Sequence, residues 1–591
     1  MKIKSEYLIC FLVLLALSSS LTSPQTEDKL TARLQARLFV QGEESVQAAW
    51  IFLTDKGPNE DRSLAETEAA LRPRARLRRQ RHRGADNLVD VYDIPVYEPY
   101  VETLRQYVRR IRHRSRWLNA VSVEVRGTHL TELAELAFVR RIDVVGFGTF
   151  REPTPVPLTK EAPPISTQAA HALDYGDSIW QVELSNIPAM HDLGYSGKDV
   201  LICMLDNGFN TLDHEALDHL DIVATWDFVN NDPVVSDQEG QMGIGDHGTA
   251  TLSMIGSFQP GTLIGPAYSA SYMLGKTENS EWERHLEEDH WVAGAEWADE
   301  WGADIISSSV GYFYTFTNGE EGYTWEDMDG ETTIVAQGAN IAGERGILIL
   351  NSAGNEGDRP FPGNSLVSPS DSALVLAVGA TNFTGTRVDF SSVGPSFDGR
   401  IKPDVMAMGA GVLIADPTAI DAYALSQGTS FSCPLAAGVA ALVLEAKPDW
   451  TNLEIMEALR RTASRGGNPD NKNGYGVVNA LKALDFIPVA FYPPENFGLT
   501  RLKNDYIFFI QFVDRLEWDA NPQNKIPVKG YRIYARPTSG QNLAYELLAE
   551  VDADTFWVDH RGLDFQELYT YKITSVDEEG NESVPSFTGS R

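Results

Sequence analysis

The chain has 591 residues, 43 % of them hydrophobic and 22 % charged, a globular composition that is too long for one hydrophobic core. Its formal net charge of −34 argues against nucleic-acid binding, because nucleic-acid-binding proteins present a basic surface. The charge is uneven, since residues 24–150 contain 21 basic and 18 acidic residues whereas residues 151–591 contain 26 and 64. We therefore expect several domains, with a nearly neutral, arginine-rich first part that complements an acidic remainder.

The N-terminus has the pattern of a secretory signal peptide, which we place at residues 1–23. Lys2 and Lys4 precede an apolar run from Leu8 to Leu17, and small, serine-rich residues follow. This run is too short to cross a bilayer as a helix, so a short membrane anchor is the weaker alternative. We expect a protein that is secreted, extracellular or periplasmic, with no transmembrane helix in its mature form.

Residues 24–150 have the pattern of an independent α+β domain. Apolar spacing predicts strands at 48–53, 117–125 and 139–145 and helices at 99–111 and 128–136. Between the first strand and the first helix, the arginine-rich run from Arg72 to Arg83 is expected to be a solvated helix face or a loop. Five prolines between Pro153 and Pro164 then predict an extended linker over residues 151–174.

From residue 175 to residue 487, buried strands alternate with helices. Apolar runs predict strands at 200–205, 304–309, 347–350 and 373–378 and helices at 291–301, 332–345, 430–446 and 452–463. Thr451 and Glu454 form a capping-box pattern at the start of the last helix. The alternation predicts an α/β fold with a parallel sheet that is covered by helices on both faces.

Four polar motifs lie at strand ends or helix starts in this part of the chain. They are Asp206-Asn207-Gly208, Asp246-His247-Gly248-Thr249, Ala353-Gly354-Asn355 and Gly428-Thr429-Ser430. A serine at a helix N-terminus lies beside unpaired N–H groups, which suits a nucleophile whose substrate becomes an oxyanion. Such a serine needs a base and an orienting carboxylate, and His247 and Asp206 can supply them. Taken alone, the serine motif could also be the N-cap of a core helix.

The four motifs and their order resemble those of the subtilisin-like serine proteases, the subtilases. The resemblance covers about residues 175–485 and implies a subtilisin-like fold that hydrolyses peptide bonds. It assigns Asp206, His247 and Ser430 to the catalytic triad and Asn355 to the oxyanion hole. The commonest family residues are replaced at Asn207 and after Ser430, but no catalytic group is lost.

The same resemblance implies a substrate-binding site. Ser309, Val310 and Gly311, together with Ala353 and Gly354, match the backbone edges that line the specificity pocket in subtilases. Ordinary strand-end geometry is the alternative interpretation of these five residues. The acidic run between Lys276 and Asp289 is either a solvated face or a surface that prefers basic substrates.

The two flanking regions carry weaker resemblances. The element order of residues 24–150 resembles the ferredoxin-like propeptide that precedes many subtilase catalytic domains, which makes the chain's own propeptide a partner of the enzyme. Residues 488–591 contain predicted strands at 506–512, 528–535, 545–551 and 569–574, the spacing of an all-β sandwich. Trp518 and the run from Tyr531 to Tyr534 resemble the fibronectin type III pattern. We interpret this sandwich as a spacer, stabilising or binding module.

The sequence gives only weak signals for cysteine chemistry or metal binding. Cys203 and Cys433 lie in apolar runs and are expected to be buried free thiols, with a disulfide as the alternative. The Asp470–Gly474 loop lacks the spacing of an EF-hand and is interpreted as a turn. We predict no metal ligands and no required cofactor, while calcium binding stays open because no residues place it.

Together, these patterns predict a secreted serine endopeptidase that acts on protein or peptide substrates and is made as a zymogen. The alternative from another class is a catalytically silent subtilase fold used for binding. All four catalytic groups are present, which favours the enzyme. A protease with one dedicated processing substrate is a narrower version of the first hypothesis.

Overall fold

The structure, a computed structural model, describes residues 29–145, 171–279, 286–313, 323–357, 363–488, 491–505, 510–537, 545–564 and 568–587. The predicted signal peptide and residues 151–170 of the predicted linker lie outside these ranges. The chain divides into two compact units, of which the first contains residues up to Leu64 together with Val91–Val145. The second contains Ala65–Asp90 and the rest of the chain, so the arginine-rich run belongs to the same unit as the catalytic motifs.

The helices are distributed over both units. In chain order they are α1 (Ala32–Gln41), α2 (Glu60–Ala70), α3 (Pro73–Arg83), α4 (Glu98–Leu104), α5 (Leu130–Glu135), α6 (Ile179–Glu183), α7 (Ile187–Asp192), α8 (His247–Gly256), α9 (Leu286–Trp301), α10 (Ile334–Glu344), α11 (Thr429–Ala446), α12 (Asn452–Thr462) and α13 (Ala480–Asp485). The predicted capping box is confirmed, because the Thr451 side chain accepts from the Glu454 backbone N–H and the Glu454 side chain accepts from Thr451.

The first unit is built on a four-stranded antiparallel sheet. Its strands are β1 (Val46–Leu53), β2 (Val108–Ser115), β3 (Ala120–Arg126) and β4 (Val139–Val144). Their spatial order is β4-β1-β3-β2, with helices before β2 and β4, which is the ferredoxin-like arrangement that the sequence predicted. The inner strand β1 is almost entirely buried between β3 and β4.

The predicted helix over residues 99–111 is wrong in its second half. Helix α4 ends at Leu104, and β2 begins at Val108. The register of β2 against β3 shifts between Val108 and Arg110 and again between Ile111 and His113. Because each bulge adds a residue to the strand, apolar residues three apart fit a bulged strand as well as a helix.

The second unit contains a seven-stranded parallel sheet. Its strands are β5 (Leu201–Asp206), β6 (Asp221–Asp227), β9 (Ser271–Lys276), β10 (Ile305–Ser308), β11 (Leu348–Ser352), β12 (Val375–Thr381) and β13 (Val405–Met408), next to the short pairs β7 (Phe258–Gln259) with β8 (Leu263–Ile264) and β14 (Ala410–Ala415) with β15 (Tyr423–Gln427). The spatial order is β13-β12-β11-β10-β5-β9-β6, and every neighbouring pair is parallel. The predicted parallel α/β sheet is confirmed.

Helix α11 is the central helix of this unit. By length and composition this helix could cross a membrane, but 89 % of it is buried within the protein. Its side chains share one hydrophobic core with those of the sheet and of helices α8 and α12. We therefore describe α11 as a core helix, which places its N-terminal Thr429 and Ser430 at the edge of the sheet.

The C-terminal region forms two antiparallel sheets. Their strands are β16 (Glu495–Asp505), β17 (Ile510–Asp519), β18 (Gly530–Pro537), β19 (Glu546–Asp552), β20 (Trp557–Leu563), β21 (Tyr569–Val576) and β22 (Ser586–Phe587). One sheet has the order β16-β17-β20 and the other β19-β18-β21-β22, around a core that contains Trp518 and Tyr531. The predicted strand over 506–512 overlaps the start of β17, and residues 506–509 lie outside the described residues.

Candidate active site

The four polar motifs converge on the carboxyl edge of the parallel sheet. Asp206 is the last residue of β5, and Asn355 lies three residues after the end of β11. His247 is the first residue of α8, and Ser430 is the second residue of α11. Because parallel strands end at the same edge of a sheet, strand ends and the helix starts beside them gather there, where α/β proteins bind ligands.

Asp206 and His247 form a buried hydrogen-bonded pair. The Nδ1 atom of His247 lies 2.7 Å from Oδ1 of Asp206, and the two side chains are 6 % and 1 % exposed. The Asp206 carboxylate also accepts from the Asn207 backbone N–H at 2.8 Å and from the Thr251 hydroxyl at 2.9 Å. These bonds fix the carboxylate, and through it the plane of the imidazole and the position of its second nitrogen.

Ser430 is held in the first turn of α11. Its backbone carbonyl accepts from the Ser309 hydroxyl at 2.9 Å, and its own hydroxyl lies 3.4 Å from the Ser309 carbonyl oxygen. The residue is 1 % exposed in the full chain. The serine therefore lies at the helix N-terminus, where unpaired backbone N–H groups favour a developing negative charge.

Asn355 is anchored by the same helix start. Its side-chain Oδ1 accepts from the Thr429 backbone N–H at 2.9 Å and from the Thr429 hydroxyl at 3.0 Å. Because two donors fix the amide oxygen, the amide nitrogen is directed away from Thr429 and can donate to another group. The preceding Gly354 has a φ of +107°, and a Cβ there would lie 2.7 Å from the Ser392 hydroxyl, so only glycine fits this turn.

The predicted substrate-binding residues lie on two segments that extend the neighbouring strands β10 and β11. On the first, the Val310 carbonyl accepts from the Asn351 side chain at 3.0 Å, and a Cβ on Gly311 would lie 2.3 Å from Val367. On the second, the Ala353 carbonyl accepts from the Val367 N–H at 3.2 Å. Val367 thus contacts both segments and holds them in place.

Sequence reasoning missed three supporting residues. Thr251 and Val367 belong to none of the four motifs, although Thr251 lies four residues after His247 and therefore on the same side of α8. Thr429 belongs to the nucleophile motif, but the motif did not predict its contact with Asn355. Val367 lies in the loop after the second segment and far in sequence from the first, and only the fold brings it into contact with both.

The acidic run is not a solvated face, because Glu278, Glu287 and Glu288 are at most 2 % exposed. Glu278 accepts from the Tyr312 hydroxyl at 2.7 Å, and Glu288 accepts from the Tyr323 hydroxyl at 2.7 Å. Burial raises the pKa of Glu278 to about 7. Residues 280–285 of the run are not described.

Neither the cysteines nor the Asp470 loop adds to this site. Cys203 and Cys433 are buried and free, as predicted. Burial raises the pKa of the Cys433 thiol to about 12, which leaves it protonated and unreactive. Asp470 accepts from the backbone N–H groups of Lys472 and Asn473, which closes the predicted turn.

Comparisons with known proteins identify the family. The profile of the Subtilase family matches residues 197–477, and that of the peptidase S8 propeptide domain of Bacteroidota matches residues 48–155. M-protease of Shouchella clausii (strain KSM-K16) is 30 % identical over 305 residues, which cover 51 % of this chain and 69 % of that protein. Subtilisin BL of Lederbergia lenta is 29 % identical over 305 residues, 51 % of this chain and 97 % of that protein.

Among solved structures, MycP1 from Mycobacterium smegmatis matches with a TM-score of 0.42 and 22 % identity, over 58 % of this chain and 89 % of that chain. The chain belongs to the subtilase family. It is a subtilisin-like serine peptidase, a hydrolase of peptide bonds, and it carries a propeptide domain of the kind found in zymogens.

Proposed function

We propose that Asp206, His247 and Ser430 are the catalytic triad and that Asn355 is an oxyanion donor. His247 takes the proton of the Ser430 hydroxyl as the serine oxygen attacks a substrate carbonyl. His247 then gives this proton to the leaving amine, and a water activated by His247 hydrolyses the acyl-enzyme. Asp206 keeps the proton of His247 on Nδ1 and stabilises the imidazolium. The observation that carries the proposal is the buried 2.7 Å contact between His247 Nδ1 and Asp206.

The oxyanion is stabilised by the Asn355 side-chain amide and the Ser430 backbone N–H. The two Thr429 donors on Asn355 Oδ1 support this assignment, because they leave the amide nitrogen to face the substrate. Ser309, Val310, Gly311, Ala353 and Gly354 line the specificity pocket that receives the substrate. The reaction uses no cofactor, and we assign no residues to calcium or another metal.

A fluorophosphonate probe tests the assignment of the nucleophile. After the propeptide has been removed, we expect one adduct per chain, located at Ser430 by peptide mass spectrometry. The Ser430→Ala variant should not react. A folded protein that neither reacts nor cleaves denatured protein would instead be the catalytically silent binding protein.

The domain boundaries and the route of maturation are part of the same proposal. Residues 1–23 direct secretion, residues 24–150 form a propeptide that blocks the active site, and cleavage in the 151–174 linker releases the peptidase domain of residues 175–487. Wild-type protein should therefore mature to a shorter form, whereas Ser430→Ala should stay full length after signal removal. Full-length Ser430→Ala that matures when expressed alone in a protease-deficient host would contradict self-processing.

Residues 488–591 are proposed to be a fibronectin type III-like sandwich with no part in the chemistry. The support is the seven-strand, two-sheet arrangement around Trp518 and Tyr531. A chain that ends near Pro488 should hydrolyse a short peptide with unchanged kcat per folded molecule. Loss of that activity by the folded, truncated enzyme would give the sandwich a role in the site.

A further inference from the structure

The arginine-rich run that the sequence placed on a solvated face is a docked helix. Helix α3 is packed within the unit that carries the candidate active site, and both Arg78 and Arg79 are at most 2 % exposed. Their common partner is Asp299 near the end of α9, which is 1 % exposed. Arg78 contacts one oxygen of this carboxylate, and Arg79 lies 2.6 Å from the other. Both oxygens of Asp299 are thus used by α3.

A second carboxylate, Asp304, receives two further arginines of the same helix. Arg74 contacts one oxygen, and Arg81 lies 3.0 Å from the other. Asp304 also accepts from the Leu201 N–H at 3.1 Å, which ties it to the start of β5. Four arginines therefore meet two buried carboxylates, and charge-assisted pairs of this kind are strong when both partners are in place.

Backbone groups complete the contact. The Arg78 guanidinium donates to the carbonyl oxygens of Ala303 at 2.6 Å and Arg345 at 3.1 Å. Burial lowers the pKa of this guanidinium to about 10, with Asp299 opposing the shift, so the group stays charged at neutral pH. These bonds use all three nitrogens of one buried guanidinium, whose planar, fixed donors match this set of acceptors.

The surface below α3 is shaped for a close backbone approach. Gly302 and Gly346 both have φ near +80°, in the turns before β10 and β11. A Cβ on Gly302 would lie 2.5 Å from the Ala75 nitrogen, and a Cβ on Gly346 would lie 2.8 Å from the His82 Cβ. Glycines are therefore required where α3 lies, both for conformation and for space.

This contact lies at the amino edge of the parallel sheet. Asp299, Gly302, Asp304, Arg345 and Gly346 all come shortly before β10 or β11, whereas Asp206 and Asn355 lie at or after the ends of β5 and β11. Strands of four to seven residues separate the two edges by roughly 13–23 Å. Helix α3 therefore does not enter the candidate active site.

We propose that Asp299 and Asp304 form an exosite, a binding surface remote from the triad, and that its ligand is the arginine-rich helix α3 of the chain's own propeptide. The exosite rests on the proposed zymogen function and adds a second attachment point for the propeptide. After the linker is cut, the propeptide stays bound through both the active site and the exosite. Loss of the exosite contact lets it leave sooner, while catalysis by the mature enzyme is unchanged.

The first test measures docking without catalysis. Hydrogen exchange is followed by mass spectrometry in full-length Ser430→Ala protein, with and without Arg78→Ala/Arg79→Ala. We expect residues 73–83 to be protected in the parent and to exchange about tenfold faster or more in the double variant, because breaking a buried pair is strongly unfavourable. Arg76→Ala is the matched control, since Arg76 lies on the same helix, is 33 % exposed and pairs with Glu68.

The second test measures activation in the catalytically competent chain. We expect the double variant to reach full peptidase activity about tenfold sooner after cleavage, with kcat and KM for a short peptide equal to those of wild type. If the double variant does not fold, Arg81→Ala removes the half-buried pair with Asp304 and should give a smaller change in the same direction.

Several outcomes would overturn the exosite proposal. The exosite is absent if residues 73–83 exchange at the unprotected rate in the parent, or if the double variant matches Arg76→Ala in both tests. A change in the kcat of the mature enzyme would instead place α3 in the catalytic machinery. If the wild-type chain shows no peptidase activity at all, the proposed function fails, yet the exchange experiment still decides whether α3 is docked.

Discussion

The two edges of the seven-stranded sheet use buried carboxylates in different ways. At the carboxyl edge, Asp206 is paired with a histidine and two neutral donors, His247, Thr251 and the Asn207 N–H. At the amino edge, Asp299 is paired with two arginines. An imidazole can give and take a proton near neutral pH, whereas a guanidinium cannot. The partner, rather than the carboxylate, makes one edge suited to catalysis and the other to holding a docked helix.

A third buried carboxylate shows what happens when the cations are more distant. Glu331 precedes α10, and the nearest nitrogens of Lys572 and Arg536 lie 3.8 Å and 3.9 Å from it. Asp329, Arg400 and Tyr545 also interact with it. Burial outweighs the two cations and raises the pKa of Glu331 to about 7. The two cations from the C-terminal strands therefore compensate the buried Glu331 carboxylate only in part.

The largest expected effect is at the carboxyl edge. Ser430→Ala should lower kcat by about 10⁶, because the triad acts as a unit. Steady-state kinetics on a short peptide measure the change. Ser432→Ala is the control, since the Ser432 hydroxyl only donates to the Thr429 carbonyl at 2.9 Å. If Ser432→Ala lost activity and Ser430→Ala kept it, the nucleophile would be misassigned.

Asn355→Ala should lower kcat by about 10²–10³ with little change in KM, because an oxyanion donor acts mainly in the transition state. Steady-state kinetics on a short peptide measure both constants. Asn364→Ala removes another buried amide, one that donates to the Pro395 carbonyl at 2.8 Å, and serves as the control. A rise in KM without a fall in kcat would indicate a binding role for Asn355.

Because its cations are more distant, Glu331 should make the stability of the protein depend on pH. A carboxyl whose pKa is raised on folding contributes stability that is complete below its ordinary value of 4.5 and is lost as the pH rises through about 7. Glu331→Gln should remove this loss, so that the variant gains about 3 kcal/mol relative to wild type between pH 4.5 and pH 8. Denaturant unfolding of the Ser430→Ala protein at both pH values measures the difference. The exposed Glu326→Gln should show no such gain, and an equal gain there would contradict the assignment.

The smallest effect concerns the two thiols beneath the catalytic edge. Because Cys203 and Cys433 are each 0 % exposed and burial raises the pKa of both, a thiol reagent at pH 8 should modify neither in the native protein. Both should react in denaturant, as measured by intact mass. Labelling of Cys433 in the native state would show that the start of α11 opens in solution.

The sequence by itself determined the parts that depend on local pattern. Continuous apolar runs predicted the parallel strands, and the four motifs predicted which strand ends and helix starts carry the polar groups. The structure places Asp206, His247, Asn355 and Ser430 at one edge because parallel strands share their direction. The capping box at Thr451 and the buried thiols also followed from neighbouring residues alone.

Tertiary structure decided what depends on distant partners. Arg78 and Arg79 look solvated in the sequence, because only a carboxylate 220 residues away in the chain makes their burial favourable. The strand β2 was mistaken for a helix because its bulges and its pairing with β3 are not local properties. Val367 and Thr429 likewise support the candidate site only through the fold. A distant partner changes the free energy of burying a charge or of forming a strand. A short stretch of sequence does not contain that partner, so its pattern cannot predict the outcome.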